Sequence, residues 1–263
     1  MTLTDGHPIW FELSTPDHVA AATFYRQLFS WTTRTSPVVE HGGYVIASAP
    51  DGDGIAGLMT PPPGAPPGGG WSIYFLSLDL AATLVKAGDL GGSVAFGPMD
   101  IPHVGRFAVL LDPQGVPFSV MQPSTEDPAR PFKQADDAHG HAVWIELATP
   151  DPDAAFAFYG GLFGWTREGA MPMGEMGEYA FLGAGEARPG AVMSSTLTRA
   201  PQQWNSYFLV VDIDAAVATA EADGGKLIQG PDPIPGGDYS ANIVDPYGHQ
   251  VGIVGPRKGG DAA

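Results

Sequence analysis

An internal duplication limits what this chain can fold into more than any other feature. His7–Thr32 (HPIWFELSTPDHVAAATFYRQLFSWT) aligns without a gap on His141–Thr166 (HAVWIELATPDPDAAFAFYGGLFGWT), with 15 of 26 positions identical. Trp10 and Trp144, Tyr25 and Tyr159, and Trp31 and Trp165 each lie 134 residues apart. Past one deleted residue the spacing becomes 133, as at Tyr74 and Tyr207, Asp79 and Asp212, and Asp112 and Asp245. A repeat that fills 263 residues in this way implies two homologous domains instead of one large one. Residues 1–124 read as the first domain, 125–138 as a polar linker, and 139–263 as the second.

Each half divides again. Ile9–Ser14 alternates as a half-buried strand does, Thr15-Pro16-Asp17 supplies a cap and a helix-starting proline, and Ala21, Phe24, Tyr25 and Leu28 follow at helical spacing. Tyr44–Ala49 and Ile55–Thr60 read as strands, and Pro61–Gly70 as a connector. Trp71–Leu78 then reads as a strand and Leu80–Leu90 as a helix ended by Gly91-Gly92. Ser93–Pro98, Phe107–Asp112 and Phe118–Gln122 complete the half as strands. The order is βαβββ twice per half, an α+β pattern that a doubly wound sheet does not produce.

Composition narrows the partners. A net charge of −17 opposes binding to nucleic acid or an anionic membrane, since both need a positive surface. The absence of cysteine removes thiol nucleophiles, disulfides and thiolate metal sites. No apolar run is long enough for a membrane span, and Met1–Trp10 lacks the basic and apolar regions of a signal peptide, so a cytoplasmic protein is expected. Because the duplication supplies an internal pseudo-dimer, a monomer is expected as well.

The run from Thr15-Pro16-Asp17 through Phe24-Tyr25 to Leu28-Phe29-Ser30-Trp31, the Leu78-Asp79 helix start and the closing Asp112-Pro113-Gln114-Gly115 turn resemble the vicinal oxygen chelate superfamily. That superfamily holds glyoxalase, bleomycin-resistance and extradiol dioxygenase proteins. The Ile101-Pro102-His103-Val104-Gly105-Arg106-Phe107-Ala108 segment is similar to a tandem two-domain group described as antigen-like or hydroxylase-like and found near antibiotic pathways. The resemblance covers about residues 7–123 and 140–255. It implies paired βαβββ modules forming an open, cup-shaped mixed sheet whose concave face holds a ligand. In metal-dependent members, side chains on the first and last strands of both modules bind a divalent metal there.

Strand alternation tests that implication. Ile9, Phe11 and Leu13 share the apolar parity, so Trp10, Glu12 and Ser14 point into the cup. The first-strand ligand position falls on Trp10 and Trp144, the matching position of the next module on Ser72 and Asn205, and the last-strand carboxylate position on about Ser119 and Gly252. An indole N–H cannot coordinate a metal, and Ser or Asn are poor sole ligands for iron, zinc or manganese. The expectation is therefore no metal and no cofactor, with Fe, Zn or Mn required only by the alternative of lyase, dioxygenase or hydroxylase chemistry.

Glu12 and Glu146 are the candidate catalytic groups, each either an acid, base or acceptor for a ligand, or a structural acceptor for a neighbouring Tyr or Trp. Trp10, Ser72 and Tyr74 in one half, and Trp144, Asn205 and Tyr207 in the other, are the candidate ligand-binding residues for a small aromatic or otherwise apolar molecule. His7 and His141 recur just before the first strand and read as exposed or turn-binding. Met171, Met173 and Met176 read as a Gly-rich loop, either a pliable lid or an ordinary mobile segment.

Overall fold

A computed structural model describes residues 3–38, 41–61, 69–125 and 128–258. Most of the Pro61–Gly70 connector and part of the linker lie outside these residues. The first half contains β1 (Pro8–Ser14), α1 (His18–Phe29), β2 (Thr32–Thr35), β3 (Val45–Ser48), β4 (Gly54–Met59), β5 (Gly70–Leu76), α2 (Leu80–Asp89), β6 (Ser93–Ile101), β7 (Gly105–Leu111) and β8 (Pro117–Pro123). The second contains β9 (Ala142–Thr149), α3 (Pro152–Phe163), β10 (Thr166–Pro172), β11 (Glu178–Ala184), β12 (Ala187–Ser194), a single turn α4 (Ser195–Thr198), β13 (Gln203–Leu209), α5 (Ile213–Ala222), β14 (Lys226–Pro233), β15 (Tyr239–Val244) and β16 (Gln250–Gly255).

The strands form two open mixed sheets of eight, ordered β2-β3-β4-β1-β5-β8-β7-β6 and β10-β11-β12-β9-β13-β16-β15-β14. The fold is α+β and follows the expected module order. The structure adds one strand to that order and differs locally at two other places. Thr32–Thr35 is a strand, paired antiparallel to β3; its TTRT sequence is polar and mostly exposed, so no apolar alternation marks it. Helix α1 begins at His18 with Asp17 as its cap, leaving Pro16 outside. Met171 lies in β10 opposite Tyr179, and Met173 precedes and Met176 ends a 3₁₀ turn, Gly174–Met176, between β10 and β11.

Every long helix starts the same way. Asp17, Asp79, Asp151 and Asp212 each cap a helix by accepting a backbone N–H two or three residues on, from Ala20, Ala82, Ala154 and, for the last, Asp214 and Ala215. Such a cap is worth about 1 kcal/mol over alanine.

By contacts the chain forms two compact units, and each draws on both halves. One comprises Met1–Ile9, Ser72–Pro128 and Ile145–Asn205; the other comprises Trp10–Trp71, Ala129–Trp144 and Ser206–Ala263. In the latter, Phe11, Phe29, Trp31 and Trp71 surround the buried Phe208, with centroids 4.9–5.7 Å away. In the former, Phe118, Phe163, Trp165 and Trp204 surround Phe75. These two ring clusters are the centres of the cores, each pair adding about 1 kcal/mol beyond its buried area.

Beside each ring cluster runs a buried polar relay. Trp71 Nε1 donates to the Tyr25 hydroxyl (3.1 Å), which donates to Asp245 Oδ2 (3.0 Å). Trp204 Nε1 donates to Tyr159 (3.1 Å), which donates to Asp112 Oδ2 (3.3 Å). The other carboxylate oxygen ties down its own turn, Asp245 through the N–H groups of Tyr247 and His249 and Asp112 through those of Gln114 and Val116. Burial and the facing carboxylate push both phenols well above their usual range, so Tyr25 and Tyr159 stay neutral donors. The repeated Asp-Pro turn thus anchors a tyrosine from the opposite half of the sequence.

Candidate functional site

Glu12 is placed by β1, whose burial alternates along Pro8–Ser14. The Tyr44 hydroxyl donates to Glu12 Oε2 (2.9 Å) and accepts from Trp10 Nε1 (2.9 Å), making a three-residue relay. Tyr44 reaches this position because Gly57, paired with Glu12 across β1 and β4, has no side chain; a Cβ there would overlap the ring. Burial and the Glu12 carboxylate push the Tyr44 phenol well above its ordinary value, so it acts as a donor. The second half repeats the pair: Tyr179 donates to Glu146 Oε2 (2.8 Å) from β11. Tyr44 and Tyr179 went unnoticed in the sequence because the loops before them differ in length and their spacing is 135, unlike that of the strands.

Trp144 packs against a buried cluster of Ala138, Tyr207, Leu209 and Val254, which joins two of the candidate residues of the second half. Glu146 and Asn205 belong to the other contact unit. Likewise Trp10 and Glu12 come together in one unit, whereas Ser72 and Tyr74 belong to the other.

The second modules of the two halves share one backbone register and present different chemistry. In the first half, strand pairing puts Tyr74, Ser119, Val109 and Phe96 side by side, with Phe107 and Met99 in the next row. Tyr74 and Phe107 lie 5.7 Å apart by centroid and Phe107 and Phe96 6.0 Å. Phe96 and Met99 remain 50% and 43% exposed. In the second half the same register holds Tyr207, Gly252, Asn242 and Gln229, with Ser240 and Asp232 beyond. There the Asn242 amide nitrogen donates to the Tyr207 hydroxyl (3.1 Å) and to Gln229 Oε1 (3.0 Å), and Gln250 donates to Asn242 Oδ1 (3.3 Å). One face is aromatic, with Phe96 and Met99 exposed beside buried Tyr74 and Phe107; the other is an amide network.

At two of the positions where the resemblance places metal ligands the residues offer a divalent ion no donor. Trp10 spends its N–H on Tyr44. Gly252 offers no side chain, and the Tyr207 ring fills the space where one would stand. Among the described residues, one His/carboxylate group has the spacing for a metal: Asp51, Asp53 and His141, with ligand atoms within 4.8 Å of one another. Lys133 Nζ already bridges Asp51 and Asp53 at 2.6 Å each. His141, fully buried, reaches Asp51 through Nε2 (3.0 Å), so it is turn-binding but not exposed. At Asp51 burial opposes ionisation, but Lys133, the Asp53 N–H and His141 outweigh it and hold the carboxyl at about 2. The sequence hid this group because its members lie 82 and 90 residues apart.

Comparison with known proteins agrees with this architecture. The family model "Glyoxalase/Bleomycin resistance protein/Dioxygenase superfamily" matches residues 7–120 and again 140–253. "Putative glyoxylase CFP32" of Mycobacterium tuberculosis (strain CDC 1551 / Oshkosh) is 34% identical over 253 residues, 95% of each chain. The "Anthracycline biosynthesis protein DnrV" of Streptomyces peucetius is 31% identical over 278 residues, covering 98% of this chain and 96% of that one. Among solved structures, the Mn(II)-bound glyoxalase from Novosphingobium aromaticivorans superposes with a TM-score of 0.65 at 16% identity, over 96% of this chain and 83% of that one. The chain belongs to the glyoxalase/bleomycin resistance protein/dioxygenase superfamily, as two tandem copies.

Proposed function

We propose that this superfamily member binds a small aromatic or otherwise apolar molecule without a metal, on the open face of the first half's second module. The observation that carries the proposal is the row Tyr74, Phe107, Phe96 and Met99, in which the Phe96 ring and the Met99 thioether stay about half exposed beside the buried Tyr74 and Phe107, where the second half has Tyr207, Ser240, Gln229 and Asp232. Flat apolar ligands are held by such surfaces, with a few polar groups setting orientation. The Tyr74 hydroxyl and Ser72 are the polar groups nearest to hand along β5. A relative named for anthracycline biosynthesis supports an aromatic ligand and a role in secondary metabolism, and the proposal extends to resistance by sequestration and to a monomeric, cytoplasmic protein.

Fluorescence titration with 2-naphthol on chelator-treated protein tests this reading. Saturable binding that is indifferent to added Mn(II), Fe(II) or Zn(II) is expected. Binding that needs the metal, or none at all, would overturn it.

A second reading rests on the repeated Tyr44–Glu12 and Tyr179–Glu146 pairs, which hold one carboxylate per half in a fixed orientation. A carboxylate so held can take a proton from a bound carbon acid without a metal. Glu12→Gln or Glu146→Gln would then abolish turnover while leaving ligand affinity intact.

A further inference from the structure

The two contact units offer an internal control for a cavity that the site above does not use. In one unit α2 packs on α3, and Lys86 Nζ on α2 donates to the Leu162 carbonyl in the last turn of α3 (3.2 Å). An ammonium at a helix C-terminus meets the negative end of the helix dipole. In the other unit α5 packs on α1, and the residues that correspond to Lys86 and Leu162 by the repeat are Thr219 and Leu28. Thr219 turns back and donates to its own helix at the Ala215 carbonyl (2.8 Å), so no side chain of α5 brings an ammonium to the end of α1, whose own last turn carries Arg26.

Beside Leu28 and Thr219 there is a cavity of about 700 Å³, the size of a small-molecule site. Its walls include the apolar Leu28, Leu209 and Ala216 and the carboxylates Asp51, Asp137 and Asp212; among the described residues no lysine or arginine lines it, and of the three carboxylates Asp51 is already paired with Lys133. His139 also lines it, and its Nδ1 is buried without a hydrogen-bond partner among the described residues. The cavity therefore joins apolar and acidic walls and carries a His139 ring nitrogen with no partner among the described residues. Where the sister unit places the Lys86 ammonium, this one has Thr219 on the cavity wall.

We propose that this cavity binds a primary organic ammonium with a compact apolar body. The ammonium takes the place that Lys86 Nζ holds in the sister unit, donating to the end of α1 and to His139 near the Asp137 and Asp212 carboxylates, while the apolar body lies against Leu28, Leu209 and Ala216. Neutral alcohols of the same shape lack the charge that both the helix end and the carboxylates favour.

Isothermal titration with cyclohexylmethylammonium and, in parallel, cyclohexylmethanol tests this, since a saturated probe avoids the aromatic face discussed above. Saturable binding of the ammonium, at least about tenfold tighter than the alcohol, is expected from one charge-assisted hydrogen bond. Thr219→Lys should abolish ammonium binding while leaving the unfolding midpoint unchanged or raised, because the new side chain would supply the cation from within. Asp137→Asn, an exposed change that leaves the fold alone, should weaken binding by about threefold to tenfold. Alcohol binding as tight as that of the ammonium, undiminished ammonium binding in Thr219→Lys, or no saturable binding would each overturn the proposal.

Discussion

The second modules of the two halves are the same strands in the same register with opposite surfaces. Ser119 and Gly252 occupy one place, next to Tyr74 and Tyr207 respectively. Around Ser119 the neighbours are Val109, Phe107, Phe96 and Met99; around Gly252 they are Asn242, Ser240, Gln229 and Asp232. The residues behind the sheets did not diverge in this way. Phe75 and Phe208, the Trp–Tyr–Asp relays and the Asp helix caps recur in both halves. The duplicated scaffold recurs while the strand faces of the second modules carry different chemistry, which is where a difference in ligand would be written.

If the scaffold is common, its loss must cost the same twice. Asp245→Ala and Asp112→Ala each remove the acceptor of a buried phenol and two backbone N–H groups, and each is expected to cost about 3 kcal/mol. Urea denaturation checks this, and a gap between the two variants larger than about 1 kcal/mol would break the equivalence.

A smaller effect separates the two faces. Gly252→Ala drives a methyl into the Tyr207 ring and is expected to cost about 1–3 kcal/mol, whereas Ser119→Ala in the other half should cost under about 1 kcal/mol. Thermal unfolding of both variants measures the difference.

The smallest effect concerns the clasp of Asp51, Lys133 and His141. Its carboxyl is held at about 2 in the fold, against 3.8 for an ordinary aspartate. The stability it contributes is therefore fully present above about pH 4 and is lost as pH falls through about 2. Asp51 and Lys133 are both substantially exposed, so solvent screens the pair and the contribution is modest. Wild type should exceed Asp51→Asn in stability by the same amount at pH 5 and pH 7, and the two should converge in acid; a gap that persists at pH 2 would refute the assignment.

Much of this was legible in the chain. The gapless repeat from His7 to Thr32 announces the duplication, the alternation of Ile9, Phe11 and Leu13 assigns the faces of β1, and Asp79 and Asp212 mark helix starts. Polar β2 escaped because an edge strand exposed on both faces needs no apolar alternation. Tyr44 and Tyr179 escaped because a side chain that reaches a carboxylate across strands leaves no periodic trace, and Gly57, which admits Tyr44, looks like any other glycine. The His141 group escaped because its members approach only when a linker lysine folds onto a hairpin turn far away in sequence. Local pattern encodes elements, whereas a site assembled from distant segments is visible only after they meet.

The measurement that bears most directly on the central claim is a transplant between the two faces. Phe96→Gln with Met99→Asp installs the second half's residues, Gln229 and Asp232, on the first half's strand. Both positions are about half exposed, so the unfolding midpoint should hold within a few degrees while 2-naphthol affinity falls by about tenfold or more, as two apolar contacts are lost. Unchanged affinity in a folded double variant would contradict the assignment of the aromatic face as the ligand-binding surface.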